Sequence, residues 1–302
     1  MLRTPLRPSP WLSAAADAEV RLKLETLQPT FSYKIRGAFN AVQRLVEERG
    51  GDVLPLVTAS AGNHGRALAT AARAAGLPLT VYVPENAPRT KLDAIRSLGV
   101  DLQPCADYDE AERRAKDHAA SGAALYISPY SHRDVIAGAG TVGLEILEDW
   151  PDVDVIVVPI GGGGLISGIA IAAQGVRADI DVHGVEVEAS CPFTKGRAAG
   201  HIVGIDVRPT LADGLAGNLD PDTVTFDIVQ RLVPHIAVVS EDDLRRAIRG
   251  FAGQEKLVVE GAGATAAAAV LSGAIDVRER RAAVVVSGAN IDMDKLASIV
   301  AG

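Results

Sequence analysis

The stretch TFSYKIRGAFN, residues 30–40, sets Lys34 between Tyr33 and an Arg-Gly pair. A lysine amine can attack a carbonyl or take up a proton, and either role needs the neutral form, which a desolvated pocket favours. Taken alone, the stretch reads as the wet face of an ordinary helix, since most lysines are exposed. The glycine-bearing turns elsewhere in the chain supply the reason to read it otherwise.

Four consecutive glycines in VPIGGGGLISGIAIAA, Gly161 to Gly164, follow an apolar strand and open a helix near Leu165. Bare backbone N–H groups at the positive end of a helix make a cradle for a phosphate. A dinucleotide site is the competing reading, because Glu186 and Glu188 follow the next strand where a ribose partner would sit. The spacing disagrees: G-x-G-x-x-G read from Gly161 lands on Ile166, and from Gly162 on Ser167. A single phosphate fits better. In LVTASAGNHGRALATAA, Ser60-Ala61-Gly62-Asn63-His64 joins a strand to an Ala-rich helix, with small residues for close approach and helix-start N–H groups suited to a carboxylate. A plain Asn-Gly turn with a satisfied His64 is an equal alternative there. A third turn, SGAN, starts at Ser287 and is weak in isolation.

The elements that must position these turns alternate. VLPLVTAS, LTVYVP, VDLQPC and DVIVVPI read as strands, each followed by a helical stretch, at 62–75, 88–98, 107–121 and 164–178. That order predicts an α/β class with parallel sheets, and the near-continuous apolar strands predict helices on both faces. VHGVEVE, HIAVVS and AAVVVSGAN add later strands, and SEDDL offers Ser240 as a helix N-cap with Asp243 three residues on. The Ser-, Gly- and Pro-rich stretch 128–140 is the candidate crossing between two lobes.

With 302 residues, 48% hydrophobic, two lobes sharing a cleft are expected. A net charge of −8 argues against a polyanionic partner, so no nucleic acid is expected. Cys105 and Cys191 match no paired spacing and read as reduced thiols. No signal peptide or membrane span is legible, which places the chain in the cytoplasm.

Together, SYKIRGAFN, SAGNHG, GGGGLISG and SGAN, in this order and approximate spacing, resemble the pyridoxal-phosphate enzymes of fold type II, specifically their serine/threonine dehydratase and serine racemase branch. The resemblance runs nearly end to end, through TPLRPSPWLS, LKLETLQPTF, VIAGAGTVGLEI, TLADGLAG and EGAGA. It implies two domains, each an open, mostly parallel twisted sheet with helices on both faces: a large cofactor-binding domain of residues 1–45 and 135–302, and a small domain of residues 46–134 for the substrate carboxylate. It implies that Lys34 forms the internal aldimine with pyridoxal 5'-phosphate, and that Gly161, Gly162, Gly163, Gly164 and Leu165 hold the phosphate. Tyr33 flanks the lysine, Asn63 bonds the ring hydroxyl, Ser287 faces the pyridine nitrogen, and Ser60, Ala61, Gly62, Asn63 and His64 line the carboxylate pocket. A serine at the ring nitrogen leaves it largely unprotonated, a weaker electron sink suited to loss of a β-group. The activity implied is dehydration and deamination of L-threonine or L-serine to a 2-oxo acid and ammonia, the β-hydroxyl leaving with a proton from the cofactor phosphate. A homodimer is implied too.

Several residues depart from the family pattern. Ala61 stands where racemases carry a serine, so racemisation ranks below elimination. K-I-R-G and G-N-H-G differ from the β-replacement synthases, a distant third, and a phosphate-ligand binding module is the non-enzymatic alternative. Phe31 and Tyr33 replace a small residue and a phenylalanine beside the lysine. Pro192 falls where a second cation-binding carboxylate is expected, so no metal is expected, with Glu186 the weak possibility. The chain ends about where the catalytic unit does, from which isoleucine feedback is not expected.

Overall fold

The computed structural model describes residues 1–50 and 52–302. Among them the strands are β1 (Leu6–Pro8), β2 (Glu19–Leu24), β3 (Leu56–Ala59), β4 (Leu79–Pro84), β5 (Asp101–Cys105), β6 (Leu125–Tyr126), β7 (Val155–Pro159), β8 (Asp181–Val187), β9 (His235–Val239) and β10 (Arg281–Val286). They form two sheets, a four-stranded one ordered β5-β4-β3-β6 and a six-stranded one ordered β1-β2-β10-β7-β8-β9. Every neighbouring pair is parallel except β1 with β2. The two sheets belong to two compact units, Lys34–Gly138 and Leu2–Tyr33 with Ala139–Gly302.

In the larger unit, alternate residues of the central strands feed two cores. Val155 and Val157 of β7 and Ala282, Val284 and Val286 of β10 face one core, built with the helices Glu241–Gly250 and Gly261–Ser272. Ile156, Val158, Ala283 and Val285 face the other, with the helices Arg133–Asp149 and Gly164–Val176. A strand buried on both faces has no polar side to show, which is why these stretches are unbroken apolar runs. In the smaller unit Leu56 and Val57 of β3 likewise point into different clusters.

The unit boundaries fall at 33/34 and 138/139, whereas the sequence suggested 45/46 and 134/135. The first difference has a packing cause. Helix Lys34–Arg49 lays Ile35, Ala38, Ala41 and Val42 in one core with Ala67, Leu68 and Ala71 of helix Asn63–Ala75, so it belongs with the smaller sheet. The stretch 128–140 is also less loop-like than its composition suggests: from Arg133 it is helical. Its glycines serve close approach. A Cβ on Gly138 would lie 2.4 Å from the Arg36 carbonyl oxygen, and one on Gly140 2.9 Å from that of Gly168.

Candidate active site

Lys34 opens its helix at the first residue of the smaller unit, and its half-buried amine donates to the carbonyl oxygen of Pro129 at 2.7 Å. The segment carrying that carbonyl is itself held. Thr58 Oγ1 donates to Ile127 O at 2.8 Å, His64 Nε2 reaches the same oxygen at 3.2 Å, and Ser128 Oγ accepts the N–H groups of Tyr130 and Ser131. Because a carbonyl only accepts, His64 carries its proton on Nε2. Burial, aided by the nearby Lys34 charge, pushes the His64 pKa down to about 3, so the ring is neutral at physiological pH.

Beyond the end of β3 the turn Ser60-Ala61-Gly62 leads into helix Asn63–Ala75, whose N-terminus has no side-chain cap. The start of a helix is where backbone N–H groups suit an anion. Gly65 is forced by packing: a Cβ there would sit 2.1 Å from the Ser60 carbonyl oxygen. The smaller unit thus brings Lys34, the Ser60–His64 turn and the Pro129 carbonyl into one half-site.

The larger unit holds a second half-site at the carboxyl ends of β7 and β10. These strands are parallel neighbours with Val157 opposite Val284, a register that brings Ser287 level with Ile160, just before Gly161. Gly163 is the N-cap of helix Gly164–Val176 at φ 84°, and no side chain caps that helix either. A Cβ on Gly163 would lie 2.6 Å from Phe193 Cζ and 3.0 Å from Thr225 Cβ, and one on Gly161 3.0 Å from Leu215 Cα. Thr225 Oγ1 donates to Gly162 O at 2.8 Å and so accepts from Thr223 Oγ1 at 2.9 Å, fixing the turn from behind. Leu165 is buried in the core below the turn. Tyr33 packs on that same core and donates its N–H to Ser287 O at 3.0 Å, which ties the backbone immediately before Lys34 to the end of β10.

Residues 1–288 match the sequence profile of the pyridoxal-phosphate dependent enzymes.
The chain belongs to that family.
It is 40% identical to the L-threonine ammonia-lyase of Thermotoga maritima over 302 residues, 99% of this chain and 74% of that relative's length. The structure of maize serine racemase superposes with a TM-score of 0.91 at 32% identity, covering 98% of this chain and 91% of that one. The processed threonine deaminase isoform 2 of Solanum lycopersicum superposes with a TM-score of 0.91 at 30% identity, covering 99% and 88%. The fold type II branch of threonine dehydratases and serine racemases is therefore the chain's place in the family.

Pyridoxal 5'-phosphate is the cofactor of this family, and the residues present fit it. The Gly161–Gly164 turn lacks the Cβ atoms its neighbours would reject and opens an uncapped helix, as a phosphate requires. Lys34 offers a half-buried primary amine. Ser287, buried at 4% exposure, presents a neutral hydroxyl rather than a carboxylate at the strand end.

Glu186 serves the fold. Its buried carboxylate accepts from the N–H groups of Phe193 and Thr194, both at 2.8 Å, and from Thr194 Oγ1 at 2.6 Å, anchoring helix Pro192–Ala199. Burial raises its pKa against those hydrogen bonds. No group of three or more His, Cys, Asp or Glu able to hold a metal ion occurs among the described residues. Among the same residues, no helix is long and apolar enough to cross a membrane. Sequence reasoning missed Pro129, Thr58 and Thr225, because each acts through a backbone carbonyl brought near by tertiary packing, which leaves no local signal.

Proposed function

We propose that this chain is a threonine/serine ammonia-lyase in which Lys34 is the lysine joined to pyridoxal phosphate and the groups of both half-sites serve that one cofactor. The observation that carries the reading is the Lys34 amine on the Pro129 carbonyl at 2.7 Å, in the same half-site as the uncapped Ser60–His64 turn.

When bound, the cofactor supplies an electron sink that acidifies the substrate's α-proton and lets the β-hydroxyl depart. Gly161 to Leu165 would hold its phosphate, with Thr225 bracing the turn from behind, Asn63 would bond the ring hydroxyl, and Ser287 would face the ring nitrogen. The substrate carboxylate rests on the N–H groups that open helix Asn63–Ala75. Lys34 Nζ takes the α-proton, and the Pro129 carbonyl accepts an N–H from it as amine or as ammonium. His64, neutral, places no repelling charge beside that ammonium. The β-hydroxyl would leave as water with a proton that the cofactor phosphate would supply, and the released enamine tautomerises to an imine whose hydrolysis gives ammonia and a 2-oxo acid: 2-oxobutanoate from threonine, pyruvate from serine.

Racemisation needs a second proton carrier on the opposite face of the substrate, and Ala61 has no proton to give. The test is 2-oxo acid release from a panel of 3-hydroxy amino acids in both enantiomers. Release from L-threonine or L-serine without inversion supports the reading. Inversion without 2-oxo acid would replace it with the racemase.

A further inference from the structure

His183 on β8 and His235 on β9 are direct register partners on neighbouring parallel strands, so their side chains share a face of the sheet. Their ring centroids lie 4.9 Å apart with the planes at 69°. His183 is 7% exposed, yet neither of its ring nitrogens has a hydrogen-bond partner among the described residues. A neutral imidazole has one N–H and one lone pair. The edge-on approach of the two rings can occupy an N–H against a π face, but it offers nothing to a lone pair.

The charged groups around the pair are accounted for. Asp181, two residues before His183 on the same face, is taken by Arg280 Nη2 at 2.7 Å, so the guanidinium and the carboxylate offset one another. β9 is the outer strand of its sheet and His235 is exposed, so the pair lies at the sheet edge with one ring open to solvent. Imidazole nitrogens in pairs suit borderline cations such as zinc, with water completing the shell.

We propose that His183 and His235 form a site for a divalent first-row transition cation at the β8–β9 edge of the six-stranded sheet, remote in its strands from the Gly161 turn. Such an ion would bridge two strands whose pairing it then stabilises, and would bind the folded chain alone.

The experiment titrates zinc into dialysed, chelator-treated holoenzyme against a chromogenic chelator, in the wild type and in His235→Asn, a change at an exposed position that leaves the core intact. One zinc equivalent bound by the wild type and lost in His235→Asn is expected, together with a zinc-dependent rise in melting temperature present only in the wild type. The His183 ring resonances should shift on zinc addition, a readout that needs no variant of the buried residue. Equal zinc binding by wild type and His235→Asn, or His183 resonances unmoved by zinc, would overturn the proposal.

Discussion

Replacing Lys34 by alanine removes the only side chain proposed to carry the α-proton, and 2-oxo acid release should fall by about 10³-fold or more. Its helix should survive, since alanine is a good helix former at that position. Gly163→Ala tests the other half-site. The residue sits at φ 84°, where a side chain costs about 1–2 kcal/mol, and its Cβ would press on Phe193 and Thr225. Weaker retention of the cofactor through gel filtration and a lower denaturation midpoint are the expected outcomes. The buried histidines set an acid limit. Both His64, held down to about 3, and His183, held down to about 4, are neutral when folded but bind a proton below their ordinary 6.5 when unfolded. The unfolded chain therefore takes up more protons in that window, and stability should fall as pH drops from about 6.5 toward 4. Denaturant midpoints measured across that range should flatten in His183→Asn.

At the scale of elements, the capping box foreseen at Ser240 is present: Ser240 Oγ accepts the Asp243 N–H at 3.2 Å, and the Asp243 carboxylate accepts the Ser240 N–H at 3.0 Å. Ser240→Ala should cost about 1 kcal/mol in equilibrium unfolding. Elements with a local signal were legible in this way. LTVYVP became β4 residue for residue, and the strands leading to the Ser60, Gly161 and Ser287 turns lay where their apolar runs ended. What composition misread was glycine. VIAGAG, read only as part of the candidate crossing, is helix, because glycine there lets backbones meet rather than turn. Gly138→Ala should accordingly destabilise, by roughly 1–3 kcal/mol, despite alanine's better helix propensity. β1 and β2 were not foreseen either. β2 carries a charge at every second residue, Glu19, Arg21 and Lys23, and the burial of Lys23 is made possible by its bonds to Thr4 O and Glu145 Oε2, which are remote in sequence.

At the scale of the molecule, the chain passes between its two compact units at the Tyr33–Lys34 peptide and again within helix Arg133–Asp149. The proposed chemistry is thus encoded beside a crossing: Tyr33 is tied to Ser287 in one unit, and the next residue, Lys34, opens the other. The second crossing, at 138/139, lies inside the Ser-, Gly- and Pro-rich stretch 128–140 that the sequence offered, while the first was not legible, since only the packing of helix Lys34–Arg49 decides it. Because the cofactor is proposed to take groups from both units, its removal should lower the stability of the whole protein. The direct measurement is borohydride reduction of the purified holoenzyme followed by peptide mapping. The account predicts a yellow protein that bleaches on reduction and carries the pyridoxyl group on the peptide containing Lys34. A colourless protein that stays so when supplied with pyridoxal phosphate, or a label on any other lysine, would contradict it.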